Sequence, residues 1–136
     1  MRKLALLIGL AALVAGPASA QNASNVPITV TYFGFGESTL TREARGPLVR
    51  FALDFIATGQ TAVQIAGHTD RAEDDDALAQ RRAEVVRDYL VALRVPASAM
   101  TVQSYGELRP AIDTPDGTRE PDNRRVEVMV GAGSGW

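Results

Sequence analysis

The sequence predicts an α+β fold: a two-layer β-α-β-α-β-β sandwich whose mixed sheet carries helices on one face. Two stretches, 28–32 and 125–130, alternate apolar and polar residues as half-buried strands do. Two longer stretches repeat apolar residues every three or four positions, which is typical of amphipathic helices. Strands that alternate in this way indicate a sheet with one face covered by the helices and the other face wet.

The first half of the predicted domain contains a strand, a turn and a helix. The strand is expected over 28–32, and the turn follows at Gly34 and Gly36. We expect the main helix to run from Pro47 to Ala57, because proline is tolerated best in a first helical turn. Its predicted buried residues are Leu48, Phe51, Ala52, Phe55 and Ile56.

The second half contains the longer helix and three strands. Their predicted limits are a strand over 62–67, a helix over 76–93, strands over 101–105 and 125–130, and a surface loop over 109–123. Pro, Asp, Gly and Thr dominate that loop, which is typical of irregular backbone.

The N-terminus has the pattern of a secretory signal peptide. Arg2 and Lys3 precede an apolar run, and the small residues Ala18-Ser19-Ala20 form a cleavage site, so that 1–20 would be removed. A lead-in over 21–27, a domain over 28–130 and a loose tail over 131–136 would remain. Because the apolar run is shorter than the roughly 20 residues of a membrane span, no transmembrane span is expected after cleavage. An uncleaved anchor is the alternative.

The cysteine content and the net charge of the chain exclude several classes of function. The chain has 136 residues, no cysteine and a formal net charge of −2. Disulfides, thiolate zinc sites and a lipid anchor on cysteine are therefore not expected. The mildly acidic balance argues against a nucleic-acid partner, which needs a basic face. No cofactor is predicted.

Arg82 lies where the second helix should be apolar. It falls at the centre of a stripe formed by Leu78, Val85, Val86, Tyr89 and Leu93. An unpaired buried guanidinium costs several kcal/mol or more, so it needs acceptors. Two interpretations remain open: a structural arginine, paired or reaching out to water, and an arginine that lines a binding site.

Two other features have both a functional and a structural interpretation. The acidic run 73–76 lacks the spacing of a calcium loop, and it is typical of a helix N-terminus, where carboxylates complement the helix dipole. His68 is the only histidine, and no G-x-S-x-G nucleophile motif accompanies it. A structural or orienting histidine is favoured over a catalytic one, so the sequence does not predict an enzyme.

Four stretches together resemble the OmpA-like peptidoglycan-binding domain of porin tails, peptidoglycan-associated lipoproteins and flagellar stator proteins. In order they are Tyr32-Phe33-Gly34-Phe35-Gly36 with Ser38-Thr39-Leu40-Thr41, Ile65-Ala66-Gly67-His68-Thr69-Asp70, Leu78-Ala79-Gln80-Arg81-Arg82-Ala83, and Asn123-Arg124-Arg125-Val126-Glu127. The resemblance covers nearly all of the chain after the signal peptide.

This resemblance implies a pocket for the diaminopimelate of the cell-wall stem peptide. Asp70 would bind its ammonium and Arg82 its carboxylate, the latter through the two parallel hydrogen bonds of a guanidinium fork. Arg124 and Thr69 would lie beside them, and Asp75 stands where the family has an asparagine. We expect Asp70 and Arg82 to lie at a solvent-open pocket, so that Arg82→Ala leaves the unfolding temperature close to wild type.

Two function hypotheses follow. In the first, the chain is a non-catalytic periplasmic protein that binds peptidoglycan. In the second, it keeps the fold as an interaction or structural module, because the segment between Asp70 and Arg82 is shorter than in the family and Gly34 and Gly36 replace its acidic residues. The partners left open are the cell wall alone, or the cell wall together with outer-membrane proteins.

Overall fold

A computed structural model describes residues 27–131 as four strands, two α-helices and two short 3₁₀ turns. The strands are β1 (Thr29–Tyr32), β2 (Val63–His68), β3 (Met100–Gly106) and β4 (Arg125–Val130). The helices are α1 (Arg42–Thr58) and α2 (Leu78–Ala92), and the 3₁₀ turns cover Ala97–Ala99 and Pro121–Asn123. The predicted order of elements is confirmed, and the fold is α+β.

The strands form one mixed sheet in the order β1-β4-β2-β3. The strand β4 runs antiparallel to both β1 and β2, whereas β2 and β3 are parallel. Both helices pack on one face, and the core between the layers includes Leu48, Ile65 and Val128, all fully buried. The face of the sheet away from the helices is less exposed to solvent than expected, because Gln64, Ala66 and His68 of the central strand β2 are also buried.

Helix α1 is longer than predicted. It begins at Arg42 rather than Pro47, and Pro47 lies inside it. Ile56, which was expected to be buried, lies on the exposed side of the helix. The Thr41 hydroxyl accepts the Ala44 N–H at 3.2 Å and so caps the first turn. Ala44 and Leu48 are both buried, and this packing across the proline offsets the hydrogen bond that Pro47 does not donate.

Helix α2 crosses closely over β2. A Cβ atom built on Gly67 would lie 2.0 Å from the Ala79 carbonyl oxygen, so only glycine fits at that crossing. The buried side of α2 is formed by Leu78, Ala79, Arg82, Ala83, Val86 and Leu90. Arg82 therefore points inward, as its place in the apolar stripe indicated.

The predicted signal peptide over 1–20, nearly all of the lead-in and residues 132–136 of the predicted tail lie outside the described residues. The proposed domain limits of 28 and 130 stay predictions. Within residues 27–131, no helix is long and apolar enough to cross a membrane.

Candidate functional site

The carboxyl end of β2 brings together residues that are far apart in sequence. Thr69 and Asp70 follow β2, and Arg124 immediately precedes β4. Because β4 runs antiparallel beside β2, the start of β4 lies next to the end of β2. The Arg124 guanidinium consequently donates to Asp70 Oδ2 at 3.0 Å across 54 residues of sequence.

The Asp70 carboxylate is completely buried and fully hydrogen-bonded. Its Oδ1 accepts the backbone N–H groups of Ala72 and Glu73, each at 3.0 Å. Its Oδ2 accepts the Glu120 N–H and the Arg124 guanidinium, also at 3.0 Å each. Since a carboxylate offers about four acceptor positions, a ligand ammonium at Asp70 has to replace one of these donors.

Arg82 is also fully buried, and the carboxylate of Glu73 pairs with it. The Arg82 NH1 group donates to Glu73 Oε1 at 2.8 Å, and its NH2 group donates to Glu73 Oε2. Its remaining donors reach the carbonyl oxygens of Glu37, His68 and Gly34 at 2.8, 3.0 and 3.0 Å. All five guanidinium N–H donors therefore have acceptors within the chain.

The expectation that Asp70 and Arg82 lie at a solvent-open pocket is wrong, because both residues are fully buried. The side chains of Arg82 and Glu73 are 0% and 1% exposed, so the arginine forms a buried ion pair. The sequence pattern placed Glu73 in an acidic run at a helix N-terminus, and it did not identify Glu73 as this partner. In the structure α2 begins only at Leu78, and its first turn has no acidic residue. The inward position of Arg82 indicated that a buried acceptor was needed, but it did not indicate which of the four consecutive acidic residues 73–76 would provide it.

Asp75 lies in the segment before α2 and has no contact with the Asp70 side chain among the hydrogen bonds of the described residues. Its Oδ1 accepts the Ala77 N–H at 3.0 Å, and its Oδ2 accepts the Arg81 guanidinium at 2.6 Å. The hydrogen bond from Arg81, followed by that from Ala77, lowers the pKa of the Asp75 carboxyl below its usual value. Asp75 is thus an exposed, ionised residue near the site entrance.

A cleft of about 490 Å³ opens beside Thr69. Acidic residues form much of its wall: Glu73, Asp74, Asp75, Asp76 and Glu107. Arg71 is the one cation among the lining residues of the described chain, and it is paired with Asp113 and Asp116. The cleft therefore favours a ligand that carries an ammonium group.

The segment after β3 closes over this end of the sheet through two polar anchors. The buried Asn123 side chain accepts the Ile112 N–H and donates to the Ile112 carbonyl oxygen, at 2.9 and 2.8 Å. Arg71 donates to the Thr114 carbonyl oxygen at 2.6 Å. These contacts position Glu120 and Arg124 over Asp70.

His68 lies on the opposite face of the sheet from the helices. Its ring stacks on Tyr105 with the centroids 5.6 Å apart, and its Nε2 is 3.8 Å from Glu127 Oε2. Burial, followed by the charges of Arg125 and Arg109, lowers the pKa of His68 from 6.5 to about 3. His68 is therefore neutral at pH 7. In the described part of the chain, no group of three or more His, Cys, Asp or Glu residues is placed to hold a metal ion.

Comparison with known proteins agrees with this fold. The OmpA family model matches residues 32–124. The chain is 38% identical over 104 residues to a peptidoglycan-associated lipoprotein of Pseudomonas aeruginosa, covering 74% of this chain and 61% of that protein. Identity to the peptidoglycan-associated lipoprotein of Brucella melitensis is 34% over 131 residues, with 93% of this chain and 77% of that protein covered.

A solved structure of a peptidoglycan-associated lipoprotein has the same fold as this chain. The crystal structure of the peptidoglycan-associated lipoprotein from Burkholderia pseudomallei matches with a TM-score of 0.67 and 28% identity, over 76% of this chain and 90% of that one. The chain belongs to the OmpA family. It nevertheless spans only 29% of the outer membrane protein of Gluconacetobacter diazotrophicus, to which it is 31% identical.

Proposed function

We propose that this protein binds peptidoglycan without catalysis and recognises the diaminopimelate of the stem peptide. Membership of the OmpA family supports this, together with 38% and 34% identity to two proteins named peptidoglycan-associated lipoproteins. The observation that carries the proposal is the Asp70–Arg124 pair at the end of β2, beside a cleft lined by carboxylates.

The chemistry of diaminopimelate suits this position. The outer end of its side chain bears an ammonium and a carboxylate on one carbon atom. In our proposal Asp70 binds the ammonium and Arg82 binds the carboxylate, while Thr69 offers a hydroxyl group at the cleft wall. Arg124 holds the Asp70 carboxylate, and Asp75 lines the cleft, where its negative charge attracts the ammonium.

The proposal includes export to the periplasm. The basic start, the apolar run and the Ala18-Ser19-Ala20 site support a cleaved signal peptide over 1–20. Relatives named as outer membrane proteins support a place in the cell envelope, with outer-membrane proteins as further candidate partners.

One observation favours a second function, in which the protein keeps the fold but does not bind peptidoglycan. Asp70 and Arg82 already have a full set of hydrogen-bond partners within the chain. In that case the protein acts as an interaction or structural module and has no affinity for the cell wall.

Co-sedimentation with purified sacculi tests the proposal. The wild type should pellet with sacculi, because many weak sites on one sacculus retain the protein together. Asp70→Asn should pellet at least about tenfold less, since truncating one member of a buried charge pair costs roughly 2–5 kcal/mol of binding. Asp88→Asn is the matched control, because Asp88 is exposed on α2 and, within residues 27–131, its ion pair is with its neighbour Arg87.

Circular dichroism should show that each variant remains folded. A wild type that stays in the supernatant would refute peptidoglycan binding and favour the second function. Equal sedimentation of the wild type and both variants would refute the role of Asp70.

A further inference from the structure

Glu73 fills a cradle that is built to hold a carboxylate. Four N–H groups point at its two oxygen atoms. Oε1 accepts the Asp70 N–H at 3.0 Å and the Arg82 NH1 group at 2.8 Å. Oε2 accepts the Gly36 N–H at 2.8 Å and the Arg82 NH2 group.

None of the four donors belongs to the segment that delivers Glu73. Gly36 lies in the turn after β1, Asp70 follows β2, and Arg82 is in α2. Glu73 comes from the irregular segment 71–77, in which Asp74, Asp75 and Asp76 are exposed. The cradle can therefore persist when that segment moves and removes the Glu73 side chain.

We propose that this cradle is the carboxylate subsite of the binding site and that Glu73 competes with the ligand for it. The inference rests on the proposed function and identifies Glu73 as a residue that sets its affinity. A carboxylate tethered within the same chain acts at a high effective concentration, of millimolar order or above. A ligand carboxylate then binds only in the fraction of molecules from which Glu73 has withdrawn.

The variant Glu73→Gln separates this competition from general destabilisation. Glutamine has nearly the same shape, but its amide nitrogen would face N–H donors, so the side chain should leave the cradle. Glu37→Gln is the matched control, because Glu37 lies in the adjacent turn and its side chain is exposed. The probes are two soluble stem tripeptides that end in diaminopimelate or in lysine, the latter lacking the side-chain carboxylate.

Calorimetry should show that Glu73→Gln binds the diaminopimelate tripeptide at least about tenfold more tightly than the wild type or Glu37→Gln does. The lysine tripeptide should show no such gain. Equal affinity of Glu73→Gln and Glu37→Gln for the diaminopimelate tripeptide would overturn the proposal, and so would an equal gain with both tripeptides.

A second variant tests the cradle without any cell-wall ligand. In Glu73→Ala, sodium acetate should raise the unfolding temperature relative to sodium chloride at equal ionic strength, because acetate can enter the place of the deleted carboxylate. The wild type should show no difference between the two salts. No acetate effect in Glu73→Ala would overturn the carboxylate subsite. Rescue by acetate without tripeptide binding by any variant would instead refute the proposed function alone.

Discussion

Arg82 shows how a buried charge is accommodated in this fold. Taking a guanidinium and a carboxylate out of water costs several kcal/mol for each ion. Two hydrogen bonds to Glu73 and three to carbonyl oxygens offset that cost, and the Phe33 ring lies 5.3 Å from the guanidinium carbon. The pair therefore joins the turn after β1, the end of β2 and helix α2.

Arg82→Ala should destabilise the protein strongly. It leaves Glu73 buried without its partner, which costs about 3–5 kcal/mol of unfolding free energy. Arg81→Ala is the matched control, since Arg81 is adjacent on α2 but half exposed and pairs with Asp75 at the surface, so its loss should change little. Urea unfolding measures both, and equal stability of the two variants would contradict the buried pair.

His68 should make the stability of the protein depend on pH between 7 and 5. Its pKa is lowered to about 3 in the folded chain, whereas the unfolded histidine titrates near its ordinary value of 6.5. The unfolded state therefore gains a proton first as the pH falls. The stabilisation is complete above pH 6.5 and is lost progressively toward pH 3.

Between pH 7 and pH 5 this loss should amount to about 2 kcal/mol. Because His68 is the only histidine, His68→Leu should remove that part of the pH dependence. Urea unfolding at several pH values gives the slope for each protein. The same slope in His68→Leu and wild type would show that His68 is protonated normally in the folded chain.

The sequence could predict that Arg82 faces inward, but not which residue pairs with it. The first inference needs only the 100° rotation per residue of a regular helix. Glu73 lies in segment 71–77, where no period relates one side chain to the next. Its orientation follows from tertiary hydrogen bonds to Gly36 and Arg82, which join segments far apart in sequence.

Among the elements, the strands were predictable and the start of α1 was not. The last strand begins and ends at the predicted residues 125 and 130. For α1, the local rule against proline in a helix predicted a start at Pro47. The cap at Thr41 and the burial of Ala44 outweigh that rule, and burial depends on the sheet beneath the helix.

The crossing of α2 over β2 should not tolerate a side chain on Gly67. Gly67→Ala would bring a methyl group against the Ala79 carbonyl oxygen, a backbone atom that no change of rotamer can move away. The helix must then shift, which should lower the free energy of unfolding by about 3 kcal/mol. Thermal unfolding followed by circular dichroism measures the change, and an unaltered midpoint would contradict this close approach.

In the molecule as a whole, the site depends on the sheet order β1-β4-β2-β3. Inserting β4 between β1 and β2 places Arg124 against Asp70. Residue periodicity does not specify that order, and only the family resemblance linked these two residues. Asp75 was expected at the same pocket, and it shares the cleft with Thr69 while pairing with Arg81.

Mapping the ligand on the folded protein tests the central claim most directly. A diaminopimelate-containing stem tripeptide would be titrated into ¹⁵N-labelled protein while backbone amide signals are followed by NMR. Binding at the end of β2 predicts the largest changes at the amides of Thr69, Asp70 and Glu120, whereas those of Leu53 and Ile56 on the exposed side of α1 should not move. Changes centred on α1, or none at saturating tripeptide, would contradict peptidoglycan binding at this site.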